Sequence, residues 1–188
     1  MTRFDMVLDA LKRDCGNGVH FARQILCSGE EGKEYLSGKI RELFDSLPAG
    51  FRLLAVDLNA YSGFPGMLKD ILRQIFSDPK FQNTDTLVTK DEIEAEENAG
   101  ELRFLFECIV NDDFAEEQIF VLLLINHYEK AGEIWEPTDF GWLRGVLTDA
   151  KMMSVAVLSE KTVDKVSMEP AGSSPFANIF DPPERIDE

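Results

Sequence analysis

The sequence has 188 residues, of which 35 are Asp or Glu and 19 are Lys or Arg, giving a formal net charge of −16. That length predicts one domain, and a hydrophobic share of 44% with 14 Phe supplies a core for it. So negative a field repels nucleic acid and anionic membranes, which excludes both as expected partners and leaves proteins.

Cys15, Cys27 and Cys108 are odd in number and form no Cys-x-x-Cys pair, so neither a disulfide framework nor a zinc site is expected. "MTRFDMVLDALKRD" carries charges throughout and lacks a signal-peptide core. The longest apolar run, Ile119–Ile125, is too short to span a bilayer. The expected location is cytoplasmic, with reduced thiols.

In chain order, Phe4, Val7, Leu8 and Leu11 recur at helical spacing and predict a short amphipathic helix that ends at "GNG". Residues 1–18 are therefore expected to be an N-terminal helix and turn, and residues 19–188 the main domain. "VHFARQILC" (Val19–Cys27) reads as a strand. Leu36, Ile40, Leu43 and Leu47 mark a helix stopped by Pro48 and Gly50. "FRLLAVDLN" (Phe51–Asn59) reads as a buried strand, and "MLKDILRQIF" (Met67–Phe76) as a helix. Ser77 to about Glu94 lacks periodicity and is expected to be a loop, and Ala99–Asp113 is expected to be helical. "QIFVLLLIN" (Gln118–Asn126) is the strongest strand signal. A helix over Phe140–Ala150 and a buried strand over Met153–Ser159 follow, with at most one short strand around Ala177–Phe180. "DEIEAEENAGE" (Asp91–Glu101) reads as a solvated acidic segment or an acidic docking patch.

Alternating buried strands and amphipathic helices predict a three-layer α/β fold with a mainly parallel five-stranded sheet. Ligands of such sheets bind beyond the carboxyl ends of the strands. Three strand-end loops therefore matter most. "CSGEEGKE" follows one strand and opens a helix, as a phosphate-binding loop does. Its Gly29, Gly32 and Lys33 fit that loop in part, but Glu34 stands where the Mg²⁺-binding hydroxyl belongs, and Glu30 and Glu31 add charge beside the phosphates. A repelling pair about 4 Å apart costs roughly 1–4 kcal/mol. Lys33 reads as a relic paired with Glu30, Glu31 or Glu34, as a phosphate ligand, or as a free surface lysine.

The second loop, "VLLLINHYEKA", resembles a Walker B strand with Asn126 in place of the metal-supporting Asp and His127 in place of the water-polarising Glu. His127 could be a base, since imidazole titrates near neutrality, or a residue capping nearby backbone. In the third loop, Ser159 of "VAVLSEKTVDKV" sits at a strand end where related ATPases carry a polar sensor residue.

Jointly, "CSGEEGKEYLSGKIREL", "FRLLAVDLNAYSG", "QIFVLLLINHYEKAGEIW", "KMMSVAVLSEKTVDKV" and "GSSPFANIFDP" resemble the P-loop core of STAND-type NTPases. More narrowly, they resemble the inactive STAND modules of bacterial conflict systems, over roughly residues 19–182. This resemblance implies a sheet in which the Walker B strand lies next but one to the P-loop strand. It implies a degenerate P-loop at Gly29, Gly32, Lys33 and Glu34, a degenerate Walker B at Asn126 and His127, and a sensor-like Ser159. The lid and winged helix that follow an active core are expected to be missing, since the sequence stops at Glu188.

Three functions compete at this stage. The first is a catalytically inactive adaptor, with no cofactor or metal and with protein partners that include a separate effector. Its contact surfaces would be the N-terminal helix, the acidic segment, or Phe176 and Phe180. The second is a nucleotide switch that binds ATP or GTP with Mg²⁺ without efficient hydrolysis. The third is a hydrolase using a Cys27–His127 dyad.

Overall fold

A computed structural model describes residues 3–48, 50–78, 90–96, 98–167 and 176–186. Its centre is a five-stranded, all-parallel sheet of β1 (Ala22–Cys27), β2 (Phe51–Asp57), β3 (Phe120–Asn126), β4 (Met153–Ser159) and β5 (Glu184–Ile186). The order is β2-β3-β4-β1-β5, so β3 lies next but one to β1, as expected.

Every residue of β3 and β4 is buried. Such strands need no polar alternation, because helices cover both faces. Alternate residues feed two cores. Val121, Leu123, Ile125, Val155 and Val157 join a core with α3 (Phe64–Ser77), α5 (Ala99–Cys108) and α8 (Pro137–Asp149). Leu122, Leu124, Ala156 and Leu158 join the other, with α1 (Arg3–Gly16) and α2 (Glu30–Ser46). The helices α1 and α2 bury Val7, Leu11, Leu36, Ile40 and Phe44 there, each worth roughly 1.5–3 kcal/mol. No helix among the described residues is long and apolar enough to cross a membrane.

Several boundaries differ from the expected ones. Strand β1 starts at Ala22, not Val19, because Gly18 turns the chain at φ 62° and leaves Val19 exposed. Helix α3 starts three residues early, with Pro65 in its first turn, and α8 likewise starts at Pro137. The helix over 99–113 changes at Ile109 to a π-helical turn, Ile109–Asp113. Within the expected 77–94 loop, α4 (Lys90–Ala95) forms and buries Ile93 in the first core. Six residues are too few to display a period. Residues 79–89 of that loop lie outside the described residues.

The short strand expected around Ala177–Phe180 is not formed. Ala177–Ile179 is a 3-10 turn, pinned by Phe176, which is buried against Tyr128, Phe140 and Phe180. The fifth strand comes later, after Pro182 and Pro183, which cannot donate to a ladder.

Candidate functional site

The parallel register brings the ends of four strands together. Asp57 pairs with Asn126 across β2 and β3, and Leu26 pairs with Ser159 across β1 and β4. Short α-helical turns continue from β3 and β4, α7 (Ala131–Ile134) and α9 (Val163–Val166), whereas α6 (Phe114–Glu116) lies before β3 at the opposite edge. All the sequence-predicted site residues except Glu34 meet at this carboxyl edge.

Only Ser28 and Gly29 separate β1 from α2, and Gly29 turns the chain at φ 83°. A working phosphate loop leaves several backbone N–H groups free to wrap a phosphate. Here α2 has already begun at Glu30, and the Lys33 N–H donates to the Gly29 carbonyl. Glu30 and Glu31 fill the first turn, where the positive end of the helix dipole favours an anion. Gly32 is required by a close approach: a Cβ there would lie 2.7 Å from Cys27 Sγ.

Lys33 points inward and is 0% exposed. Its Nζ lies 2.6 Å from Glu129 Oε1, 3.2 Å from Glu30 Oε1 and 3.5 Å from Glu160 Oε1. Of the three expected partners, Glu30 is one, whereas Glu34 projects to solvent and Glu31 makes no ion pair among the described residues. Helical direction explains this, because Glu30 lies one turn before Lys33 while Glu31 and Glu34 face outward. Burial opposes the lysine's charge, but Glu129 and Glu30 outweigh it and raise its pKa. Burial likewise pushes the Glu129 pKa up, and Lys33 and Ser159 outweigh that to lower it.

His127 adopts the left-handed conformation at φ 52°. Its Nδ1 contacts Asp57 Oδ1 at 2.7 Å, and its Nε2 contacts Glu30. Burial disfavours the imidazolium, but these two carboxylates outweigh burial and raise the pKa. With both nitrogens engaged, neither is left to pair with Cys27. Asn126 turns back, and its Oδ1 accepts the His127 N–H at 3.0 Å. Ser159 is buried, accepts the Lys161 N–H at 3.1 Å and bonds Glu129.

Asp57, Glu129 and Glu160 were not singled out by the sequence reading. Each sits at or just beyond a strand end, and strand-end position is the signal that could have found them. Oxygens of Glu30, Glu129 and Glu160 lie within 4.8 Å of one another, a spacing that could suit a cation, and the Lys33 ammonium sits among them. Beside this cluster, on the β5 side, a cavity of about 330 Å³ is walled by the end of β1, the loop after β4, and β5.

The expected contact surfaces divide. Val7, Leu11 and Phe176 are buried, and Phe4, Leu8 and Phe180 pack partly against the cores. In the acidic segment, Asp91 and Glu92 are exposed on α4.

No family model matches the chain, and no curated protein matches it in sequence. Solved structures do match in fold. The Aeropyrum pernix ORC2 protein in ADPNP–ADP complexes aligns over 95% of this chain and 46% of its own, with a TM-score of 0.68 at 12% identity. The Walker-type ATPase PABY2304 of Pyrococcus abyssi aligns over 95% and 51%, with a TM-score of 0.63 at 11% identity. The Aeropyrum pernix ORC1 protein in complex with DNA aligns over 100% and 46%, with a TM-score of 0.66 at 9% identity. The chain thus has a P-loop NTPase-like α/β fold and spans about half the length of these structures.

Proposed function

We propose that this chain is a P-loop-fold module that has given up nucleotide turnover and works by binding other proteins. One observation carries the reading: Lys33, the residue that would meet a phosphate, is buried against Glu129, Glu30 and Glu160. A phosphate entering there would face these three carboxylates, each opposing it by roughly 1–4 kcal/mol at a separation of about 4 Å. Micromolar affinity is worth only about 8 kcal/mol. The two-residue link from β1 to α2 and the replacements Glu34, Asn126 and His127 support the same conclusion.

The finer reading is an inactive STAND-like adaptor of a bacterial signalling or defence system, located in the cytoplasm and acting with a separate effector. It rests on the joint order of the sequence motifs. Calorimetry with millimolar ATP, ADP and GTP in Mg²⁺ tests the loss of turnover and binding, and no heat is expected. Co-purification with the products of neighbouring genes tests the adaptor role, and the absence of any complex counts against it.

A second reading is a nucleotide switch without efficient hydrolysis. It is favoured by the likeness to a protein solved with ADPNP and ADP. Under it the unaltered chain already gives heat with nucleotide, and Glu34→Thr with Asn126→Asp strengthens that binding. Under the first reading the pair restores none, because neither change frees Lys33.

A further inference from the structure

Strand β2 forms one edge of the sheet and pairs with β3 on its inner side only. In a parallel ladder the backbone groups of successive residues point alternately to the two sides. The Gly50 carbonyl faces β3, where it accepts the Phe120 N–H at 2.8 Å. Phe51, Leu53 and Ala55 therefore turn their N–H and C=O groups outward. Their side chains are half-buried and lie together on the α2 side of the sheet. An unpaired backbone edge beside a half-exposed apolar face is what a strand from another molecule pairs with. Side chains occupy most of this edge. The Ala55 N–H donates to Gln74 Oε1 at 3.1 Å, and Gln74 Nε2 donates to the Ala55 carbonyl at 3.0 Å. A neighbouring strand would offer Ala55 the same two bonds, and here a side-chain amide from α3 supplies them. Gln74 Nε2 also donates to Asp70 Oδ2 at 3.1 Å, one turn earlier on α3, and the Tyr61 hydroxyl donates to that same oxygen at 2.7 Å. This fixes the amide, because a flip would set N–H against N–H at Ala55 and oxygen against the Asp70 carboxylate. Nearer the start of β2, Arg52 Nη1 donates to the Phe51 carbonyl at 2.6 Å, and the Phe51 N–H donates to the Pro48 carbonyl at 3.0 Å. Of these three residues only Leu53 keeps an outward N–H and C=O with no partner among the described residues.

We propose that Gln74 is a lock on the β2 edge: its amide stands in for a strand and keeps a second copy of this chain from pairing there. A pair centred on Leu53 would be self-complementary. Two antiparallel β2 strands related by a two-fold axis would exchange both Leu53 bonds and set Phe51 of each opposite Ala55 of the other. The three half-exposed apolar side chains of each copy would then meet across the new contact. With Ala55 held by Gln74, only the Leu53 bonds are left to form, and these alone fall short of the entropy lost on association. Freeing Ala55 extends the ladder on both sides of Leu53, because the Phe51 carbonyl keeps a second lone pair beside Arg52. The charge of −16 also opposes pairing of two copies, but salt screens it, whereas the lock acts at any ionic strength. The device lies on the far side of the sheet order from β1 and β5 and is independent of whether the chain takes a nucleotide.

Sedimentation velocity and amide hydrogen exchange of the full chain, in about 0.5 M salt to screen the repulsion between copies, test the proposal. In the unaltered chain the Ala55 amide should be protected roughly tenfold or more above the Leu53 amide, each relative to its unfolded rate. Gln74→Ala clears the edge and should self-associate at least about tenfold more tightly than the unaltered chain. Its Ala55 amide should lose protection in dilute solution and regain it as concentration rises. Adding Leu53→Lys places a charge on the edge and should return association to the unaltered level. The proposal is overturned by equal protection at Leu53 and Ala55, by unchanged association of a folded Gln74→Ala chain, or by association that Leu53→Lys leaves in place, which would put the contact on another face. The comparison of Leu53 with Ala55 needs no variant and decides the case should Gln74→Ala fail to fold.

Discussion

Lys33 and Glu129, 96 positions apart, meet at 2.6 Å where the first and third strands deliver their loops to one edge of the sheet. Removing either partner should be felt throughout the edge. Glu129→Ala leaves the buried ammonium only its longer contacts to Glu30 and Glu160 and is expected to cost about 1–3 kcal/mol in urea unfolding. Lys33→Ala instead leaves Glu129 and Glu160 crowded without the ammonium, with Glu30 held by His127 alone. Lys33 lowers the pKa of Glu129 and Glu30 below the ordinary 4.5, so the cost of its loss should be full above that pH and shrink as pH falls below it. A pH-independent loss would show that the lysine contributes packing alone.

The imidazole between Asp57 and Glu30 should make stability depend on pH in a stated direction. Its pKa is raised above the ordinary 6.5, with burial outweighed by Glu30 on Nε2 and Asp57 on Nδ1. A raised value contributes stability that is complete below about 6.5 and is lost as pH climbs through the folded-state value. The thermal midpoint should therefore fall from about pH 6.5 upward. On the acid side, the Glu30 pKa is lowered by His127 and then Lys33, so its contribution is lost as pH falls below the ordinary 4.5. His127→Asn keeps a residue that tolerates φ 52° and should flatten the alkaline limb.

Gly32→Ala should destabilise the protein even though alanine is the better helix former by about 1 kcal/mol. The added methyl would lie 2.7 Å from Cys27 Sγ, and overpacking of this kind costs about 1–3 kcal/mol. Cys27→Ala with Gly32→Ala should recover most of the loss. A double-mutant cycle on urea midpoints checks the coupling, and strict additivity would refute the steric account.

Asp139 has two tasks at the start of α8. It accepts the Glu136 N–H at 2.7 Å and pairs with Arg103, whose guanidinium lies over Phe64 and Trp142. Asp139→Ala loses cap and ion pair and should cost about 2–3 kcal/mol. Asp139→Asn keeps an acceptor for the cap and should cost about half as much, measured by thermal unfolding.

The layered fold was legible because Phe120–Asn126 and Met153–Ser159 are continuous apolar runs and the helices beside them keep a 3.6 period. The segment around Ala177–Phe180 misled, because its aromatic residues look like a strand and are instead anchored by ring contacts with Tyr128 and Phe140. At the site, Lys33, Asn126, His127 and Ser159 stood out by their place in motifs. Asp57, Glu129 and Glu160 did not, because a carboxylate on a loop is ordinary until strand register sets it against a buried lysine.

The wiring of the sheet also bears on how the chain folds. Strand β1 has no neighbour close in sequence: Ala22 pairs with Val155, and Ile25 with Glu184. Strand β1 must wait for residues more than a hundred positions later in the chain before its edges are closed. Pairings so distant in sequence carry a large loop-closure entropy and slow the search. During that interval α1 and α2 can shield one face of β1, since both pack on it through Leu11, Ile25 and Leu36, while its two edges stay open to intermolecular pairing. Nascent chains lacking residues 153–186 should therefore be the most aggregation-prone species on the pathway.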